Sequence, residues 1–209
     1  MSSSPISRDA GAFGAAPSTA LAEVELRDTD RMAPLDVIET EHEKWLIVCD
    51  AMERVADRLP ELSIEPRLLG VASLCTRDAV ARHHALEQEA LFPLVRTRAS
   101  ADATLGRVLE CMEEDHRDLE DCSEEAAEIL SQIRGRSLSM SADAAGYGLR
   151  CFFAFMRRHV RCELKVVLPA ARRVLEASDE LVIGERLARH KRHDKVVPLD
   201  WFRRYATDG

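Results

Sequence analysis

From Pro34 onward hydrophobic residues return at spacings of three and four: Val37, Ile38, Trp45, Leu46, Cys49 and Met52 share one stripe with Glu41 and His42. The pattern predicts a first helix that ends near Pro60. A second is expected after Ser63, with Pro66 in its first turn, running to about Arg98. A third starts after Ser100 and runs to about Ile133, where Gly135 follows as a stop. Ser141 opens a fourth, through Cys151, Phe152, Phe155, His159, Glu163 and Val166 to about Leu175, and a shorter fifth spans roughly Asp179 to His193. Nothing alternates as a strand does. Long helices joined by short loops predict an all-α fold, an antiparallel up-down four-helix bundle over 34–176, with a C-terminal helical extension over 177–209 packing on it.

Residues 1–33 are rich in Ser, Ala, Gly and acidic residues without a sustained apolar period, and are expected to be a disordered segment. Of the 209 residues 46% are hydrophobic and only 5% aromatic, so one domain with a mainly aliphatic core is expected. The net charge of −8 speaks against a general nucleic-acid or anionic-membrane binder. No apolar run approaches the roughly 20 residues of a bilayer span, and Met1 to Leu35 lacks the basic start and apolar centre of a signal peptide, so a cytoplasmic protein is expected. Cys49, Cys75, Cys111, Cys122, Cys151 and Cys162 never form C-x-x-C and read as reduced, packed thiols.

Two echoes suggest internal duplication. Ser100-Ala-Asp-Ala and Ser141-Ala-Asp-Ala open the third and fourth helices with the same capping chemistry, and His83-x-x-x-Glu87 with Pro93 matches His159-x-x-x-Glu163 with Pro169. Each bundle helix also carries a histidine on its apolar stripe: His42, His83, His116 and His159. His42 lies about 17 residues before the end of its helix and His83 about 18 after the start of the next, roughly 26 and 27 Å along the axes. The other pairs match in the same way, so four imidazoles are expected to meet in one layer. Glu87 and Glu163, four residues after their histidines, share those helix faces and join it.

Four buried imidazoles and two carboxylates would be left unsatisfied unless something bound them. Imidazole and carboxylate without thiolate suit iron, manganese or zinc, and six side chains are too many for one tetrahedral zinc, which points to two metals. If Glu87 and Glu163 each bridge, a further oxide or hydroxide leaves about two open positions for a small ligand.

The pattern resembles the hemerythrin-like family of HHE cation-binding domains: His42, then His83-x-x-x-Glu87, then His116, then His159-x-x-x-Glu163. Ala90-Leu-Phe-Pro93 and Val166-Val-Leu-Pro169 match the family's habit of an apolar-Pro sequence after each H-x-x-x-E. The likeness covers about residues 35 to 175 and implies a four-helix bundle around two Fe ions, an oxo- or hydroxo-bridged diiron centre. By this resemblance the four histidines are terminal ligands and the two glutamates bridge. The implied function is to bind or react with oxygen, nitric oxide or peroxide for sensing, storage or stress defence, with an unknown redox or signalling protein as partner. A peroxide- or nitric-oxide-consuming enzyme and an iron-donating or repair protein are the alternatives, although the cysteine-bearing N-terminal domain usual in repair proteins has no counterpart in residues 1–33.

One departure matters. Oxygen carriers of the family place a second histidine four residues after that of the third helix, where this chain has Glu120. Glu120 either serves as a terminal metal ligand or stays solvated at the bundle's edge, and in both cases simple oxygen carriage is in doubt. A ferritin-like ferroxidase is a competing reading, because Glu39-x-x-His42 and Glu113-x-x-His116 are E-x-x-H pairs. That reading leaves His83 and His159 without a role.

The remaining features have plainer expectations. Pro93 and Pro169 should bend their helices beyond the glutamates. His84 points about 100° away from His83, towards the surface or the site's outer layer. Trp45 and Phe155 should wall the site, Cys162 should be a packing residue, and the basic run Arg186–Lys195 a solvated helix face.

Overall fold

The structure, a computed structural model, describes residues 32–59, 69–70, 72–73 and 75–191. The expectations for 1–31, for the turn around Ser63 and Pro66, and for the part of the C-terminal extension beyond residue 191 lie outside the described residues. All described residues belong to one compact unit, which begins at Met32.

Among them are five helices and no strand. The helix α1 is Pro34–Arg58, with Pro34 in its first turn, where a missing N–H costs nothing. The helix α2 (75–98) runs unbroken through Cys75–Ala79, Val80–Leu86, Glu87–Leu91 and Phe92–Arg98. The helix α3 is Ala103–Arg134. Ala142–Cys162, Glu163–Val167 and Leu168–Val174 together form α4 (142–174), and Ala177–Lys191 is α5.

The two helix starts that share Ser-Ala-Asp-Ala are capped differently. Asp102 accepts from the Leu105 N–H at 2.9 Å in α3, whereas Ser141 Oγ accepts from the Ala144 N–H at 3.1 Å in α4. Both are good N-cap residues, and the α3 chain takes one more turn, Ala99–Asp102, before its helix begins. At the other end of α3 the expected stop is displaced by one residue. Gly135 keeps a right-handed helical backbone, and Arg136 takes the left-handed conformation, φ 52°. Arg136 N–H bonds to Ile133 O and Ser137 N–H to Gln132 O, both at 3.0 Å, the paired bonds of a Schellman C-cap.

The core falls into two apolar clusters. One joins Trp45 to Ala56 of α1 with Leu59 just after it, Val80 of α2, Leu119 to Ile133 of α3 and Ala145 to Val160 of α4. The other joins Leu35 to Ile38 of α1, Leu86 to Val95 of α2, Leu105 to Met112 of α3, Val167 to Ala171 of α4, and Ile183 and Leu187 of α5. Late α1 thus packs with early α2, late α3 and early α4, as an up-down-up-down bundle requires. The extension α5 is tied to α2 by Arg98, whose guanidinium donates to Asp179 at 2.8 and 3.1 Å and to Glu176 at 2.8 Å. Arg186 adds an ion pair to Glu89, so this member of the basic run contacts the bundle.

Candidate metal centre

Between the two apolar clusters lies a polar layer. His42, His83, His84, Glu87, His116, His159 and Glu163 are each at most 7% exposed. Their helices bring them to one depth because His42, His83, His84, His116 and Glu163 fall between residues that feed the two clusters, and Glu87 and His159 are one residue from that boundary.

Both glutamates stand at the first residue of a π turn. The N–H of Phe92 bonds back five residues to Glu87 O, and the N–H of Leu168 to Glu163 O. Where a bend is expected at each proline, the helix forms a wide turn just before it. Pro93 and Pro169 have no N–H to offer the carbonyl four residues back, and the helix takes in an extra residue just before them. The proline then stands in the first turn of the α-helical segment that follows.

The carboxylates divide the imidazoles into two groups. Glu87 Oε1 lies 3.4 Å from His42 Nε2 and 3.2 Å from His83 Nε2, while Glu87 Oε2 lies 3.3 Å from His116 Nε2. Glu163 Oε2 contacts His42 Nε2, and its Oε1 lies 3.5 Å from His159 Nε2. The Nε2 atoms of His42 and His83 are 3.1 Å apart. Donor atoms of His42, His83, Glu87 and Glu163 all fall within 4.8 Å of one another, as do those of Glu87, His116, His159 and Glu163. These are two adjoining pockets with both glutamates in common.

On the outside of the layer, carboxylates face several Nδ1 atoms. Glu41 Oε2 lies 3.2 Å from His83 Nδ1, Glu120 Oε1 3.3 Å from His84 Nδ1 and Asp115 Oδ2 3.8 Å from His159 Nδ1. At hydrogen-bond distance, as for His83 and His84, a carboxylate at Nδ1 holds the proton there and turns the Nε2 lone pair inward, an arrangement common around metal-ligating histidines, whereas Asp115 lies beyond that distance and His159 Nδ1 has no hydrogen-bond partner.

The electrostatics of the two pockets differ. Burial disfavours a charged ring at His42, but Glu163 and Glu87 outweigh it and hold the imidazole up to about 9. At His83 burial is likewise outweighed, by Glu87 and Glu41, and its pKa stands well above the ordinary range. Across the layer, burial and the neighbouring His116 push His84 down to about 2, and burial also lowers His159. Burial would raise Glu87, yet the His83, His116 and His42 rings keep its carboxyl well below the usual carboxylate range.

The donor set fits a metal ion. Both oxygens of Glu87, Oε1 of Glu163, and Nε2 of His84, His116 and His159 are buried without a hydrogen-bond partner. Several lie close to one another, as the distances above show, but not in hydrogen-bonding geometry. Converging acceptors of this kind are costly in a protein interior unless a cation satisfies them.

The family model for the hemerythrin HHE cation-binding domain matches residues 33–171. This chain belongs to the hemerythrin HHE cation-binding domain family. Comparison with curated proteins and with solved structures finds no match. The hemerythrin-like fold is the bundle described above, and its His/Glu cluster is able to bind metal. Among the described residues no helix is long and apolar enough to cross a membrane.

The structure brings together His42, His83, Glu87, His116, His159 and Glu163, as the spacing leads one to expect. Glu120 stands apart: its side chain is 46% exposed, and its partner is His84. Glu39 and Glu113, on which the ferritin-like alternative depends, turn outward to Arg172 and Arg96 at 2.5 and 3.1 Å. The aromatic ring against the cluster is Phe92, stacked 5.4 Å from His116. Trp45 is buried in the neighbouring core, whereas Phe155 is only partly buried and lies under the Arg158 guanidinium, 4.4 Å away. Cys162 packs against the core, and burial, with the nearby Glu163, raises its pKa. Sequence reasoning left His84 at the surface or in the site's outer layer; it is fully buried and stacked on His116 with ring centroids 3.9 Å apart. The signal that could have found it is the angle itself, because 100° around α2 separates the direction of α1 from that of α3.

Proposed function

We propose that this hemerythrin-like protein holds two iron ions and binds a small ligand such as oxygen, nitric oxide or peroxide, in sensing, storage or stress defence. The observation that carries the reading is the placement of the Glu87 and Glu163 oxygens, each carboxylate facing imidazoles of both pockets. His42 and His83 would hold one ion, His116 and His159 the other, and the two glutamates both. Six protein ligands leave iron with places to spare, and when bound the pair would supply open coordination positions and one-electron chemistry to a small ligand.

The chain's own residues prepare the site. Glu41 accepts from His83 and aims the ring's Nε2 inward. The apolar clusters on either side keep bulk water from the layer. In the metal-free protein, protons on His42 and His83 balance the buried carboxylates, so metal uptake displaces them.

The test is metal content per chain by elemental analysis, on protein produced with ample iron, together with the visible spectrum before and after nitric oxide or peroxide. Two irons per chain and a spectrum that responds to the ligand are expected, and Glu87→Ala or Glu163→Ala should retain fewer than two. One metal per chain, or two irons with an unchanged spectrum in both variants, would overturn the shared-carboxylate reading. Catalytic oxygen release from peroxide would mark an enzyme, and a stable adduct a binder.

A further inference from the structure

The imidazole of His84 has no role in the four-histidine, two-glutamate set. Its burial follows from the geometry of α2, which packs between its neighbours in the bundle. His83 and His84 are one residue apart and so point about 100° apart around the axis. His83 faces α1, where it meets His42 and Glu41; His84 faces α3, where it stacks on His116 with an interplanar angle of 3°.

Its two nitrogens have different surroundings. Nδ1 lies 3.3 Å from Glu120 Oε1, so the proton belongs there and the carboxylate accepts it. The lone pair is then on Nε2, which is buried and has no hydrogen-bond partner. Nitrogen atoms of His84, His116 and His159 lie within 4.8 Å of one another. A third lone pair beside those of His116 and His159 makes the place hostile to anything except a cation.

We propose that His84 is a fifth nitrogen ligand, binding through Nε2 the same metal as His116 and His159, with Glu120 as its positioning residue. The proposal rests on the two-metal reading above. Glu120 then acts from outside the coordination sphere, holding the ring that reaches the metal. The two halves become unequal: three nitrogens surround one metal and two, from His42 and His83, the other. With both glutamates shared, the half with fewer nitrogens is where a small exogenous ligand has room.

Iron-57 Mössbauer spectra of the iron-loaded full chain distinguish the halves. The wild type should hold two irons in unequal environments, giving two doublets. His84→Ala should change one of them, added imidazole should restore it, and azide added to the wild type should shift the other. Because His84→Ala removes a buried ring, His84→Gln and Glu120→Ala serve as gentler variants, the latter expected to weaken iron retention about 10–100-fold. Wild-type protein with two irons whose doublets are unchanged in His84→Gln, and whose iron retention is unchanged in Glu120→Ala, would overturn the role of His84. Wild-type protein holding fewer than two metals would instead overturn the two-metal reading on which it rests.

Discussion

At the scale of single residues, the same side-chain chemistry meets opposite environments within a few ångströms. His42 and His83, beside the buried Glu163 and Glu87, are held protonated in the metal-free protein, whereas burial and the neighbouring His116 hold His84 neutral despite the half-exposed Glu120 at its Nδ1. Burial acts against the charged form everywhere, so the partners decide the sign. Cysteines divide by burial in the same way. Cys49 is enclosed among core residues, and that burial pushes its thiol up to about 12, whereas Cys111 is exposed. Only the thiolate reacts with alkylating agents, so at neutral pH Cys111 should be modified well before Cys49. Peptide mapping of briefly alkylated native protein checks this, and early labelling of Cys49 would contradict its enclosure.

Helices here are shaped by a few special positions. The π turns at Glu87 and Glu163 begin at the site's carboxylates and end before prolines, which couples the prolines to the placement of the carboxylates. The end of α3 offers a test of local energetics. A non-glycine residue in the left-handed region is strained, and Arg136 holds that place while Gly135 does not. Arg136→Gly should therefore raise unfolding stability by about 0.5–1 kcal/mol, the strain relieved less the greater freedom of glycine in the unfolded chain. The α3 start should respond in the other sense: Asp102→Ala removes the acceptor for Leu105 N–H and should cost about 1 kcal/mol. Denaturant unfolding of the two variants measures both effects, and an unchanged midpoint in either would contradict the cap assigned to it.

The described residues form a bundle whose hydrophobic core is interrupted by a polar layer. Two apolar clusters hold the helices together at either end, and the layer between them contains two carboxylates and five imidazoles that solvent hardly reaches. Such a layer weakens the bundle unless its charges are balanced. Metal bound only by the folded state adds stability that grows with the logarithm of free metal concentration over Kd, about 4 kcal/mol at a thousandfold excess. Stripping metal with a chelator should lower Tm, and returning iron should restore it. Equal Tm with and without metal would mean that the layer is satisfied by its own protons. The two clusters should respond alike to truncation: Phe152→Ala and Phe92→Ala each remove a fully buried ring and should cost about 3–5 kcal/mol, the second also perturbing the site through His116.

The helices, their order and the residues that face inward were legible from the chain, because a 3.6-residue period and an i, i+4 pair are local properties. Counting along the axes was enough to bring His42, His83, His116 and His159 to one level with Glu87 and Glu163. What lay around each helix was not legible, because sequence spacing gives an angle without saying which neighbour stands in that direction. His84 looked outward by its angle from His83, yet α3 occupies that direction and closes over it. Glu120, on the face of His116, was compatible with coordination until packing paired it with His84 Nδ1. The outward turn of Glu39 and Glu113 likewise depended on arginines distant in the chain, Arg172 and Arg96. Periodicity therefore specifies which residues share a face and a depth, while the lateral packing of helices decides which nitrogens and carboxylates meet, because those contacts join residues tens of positions apart.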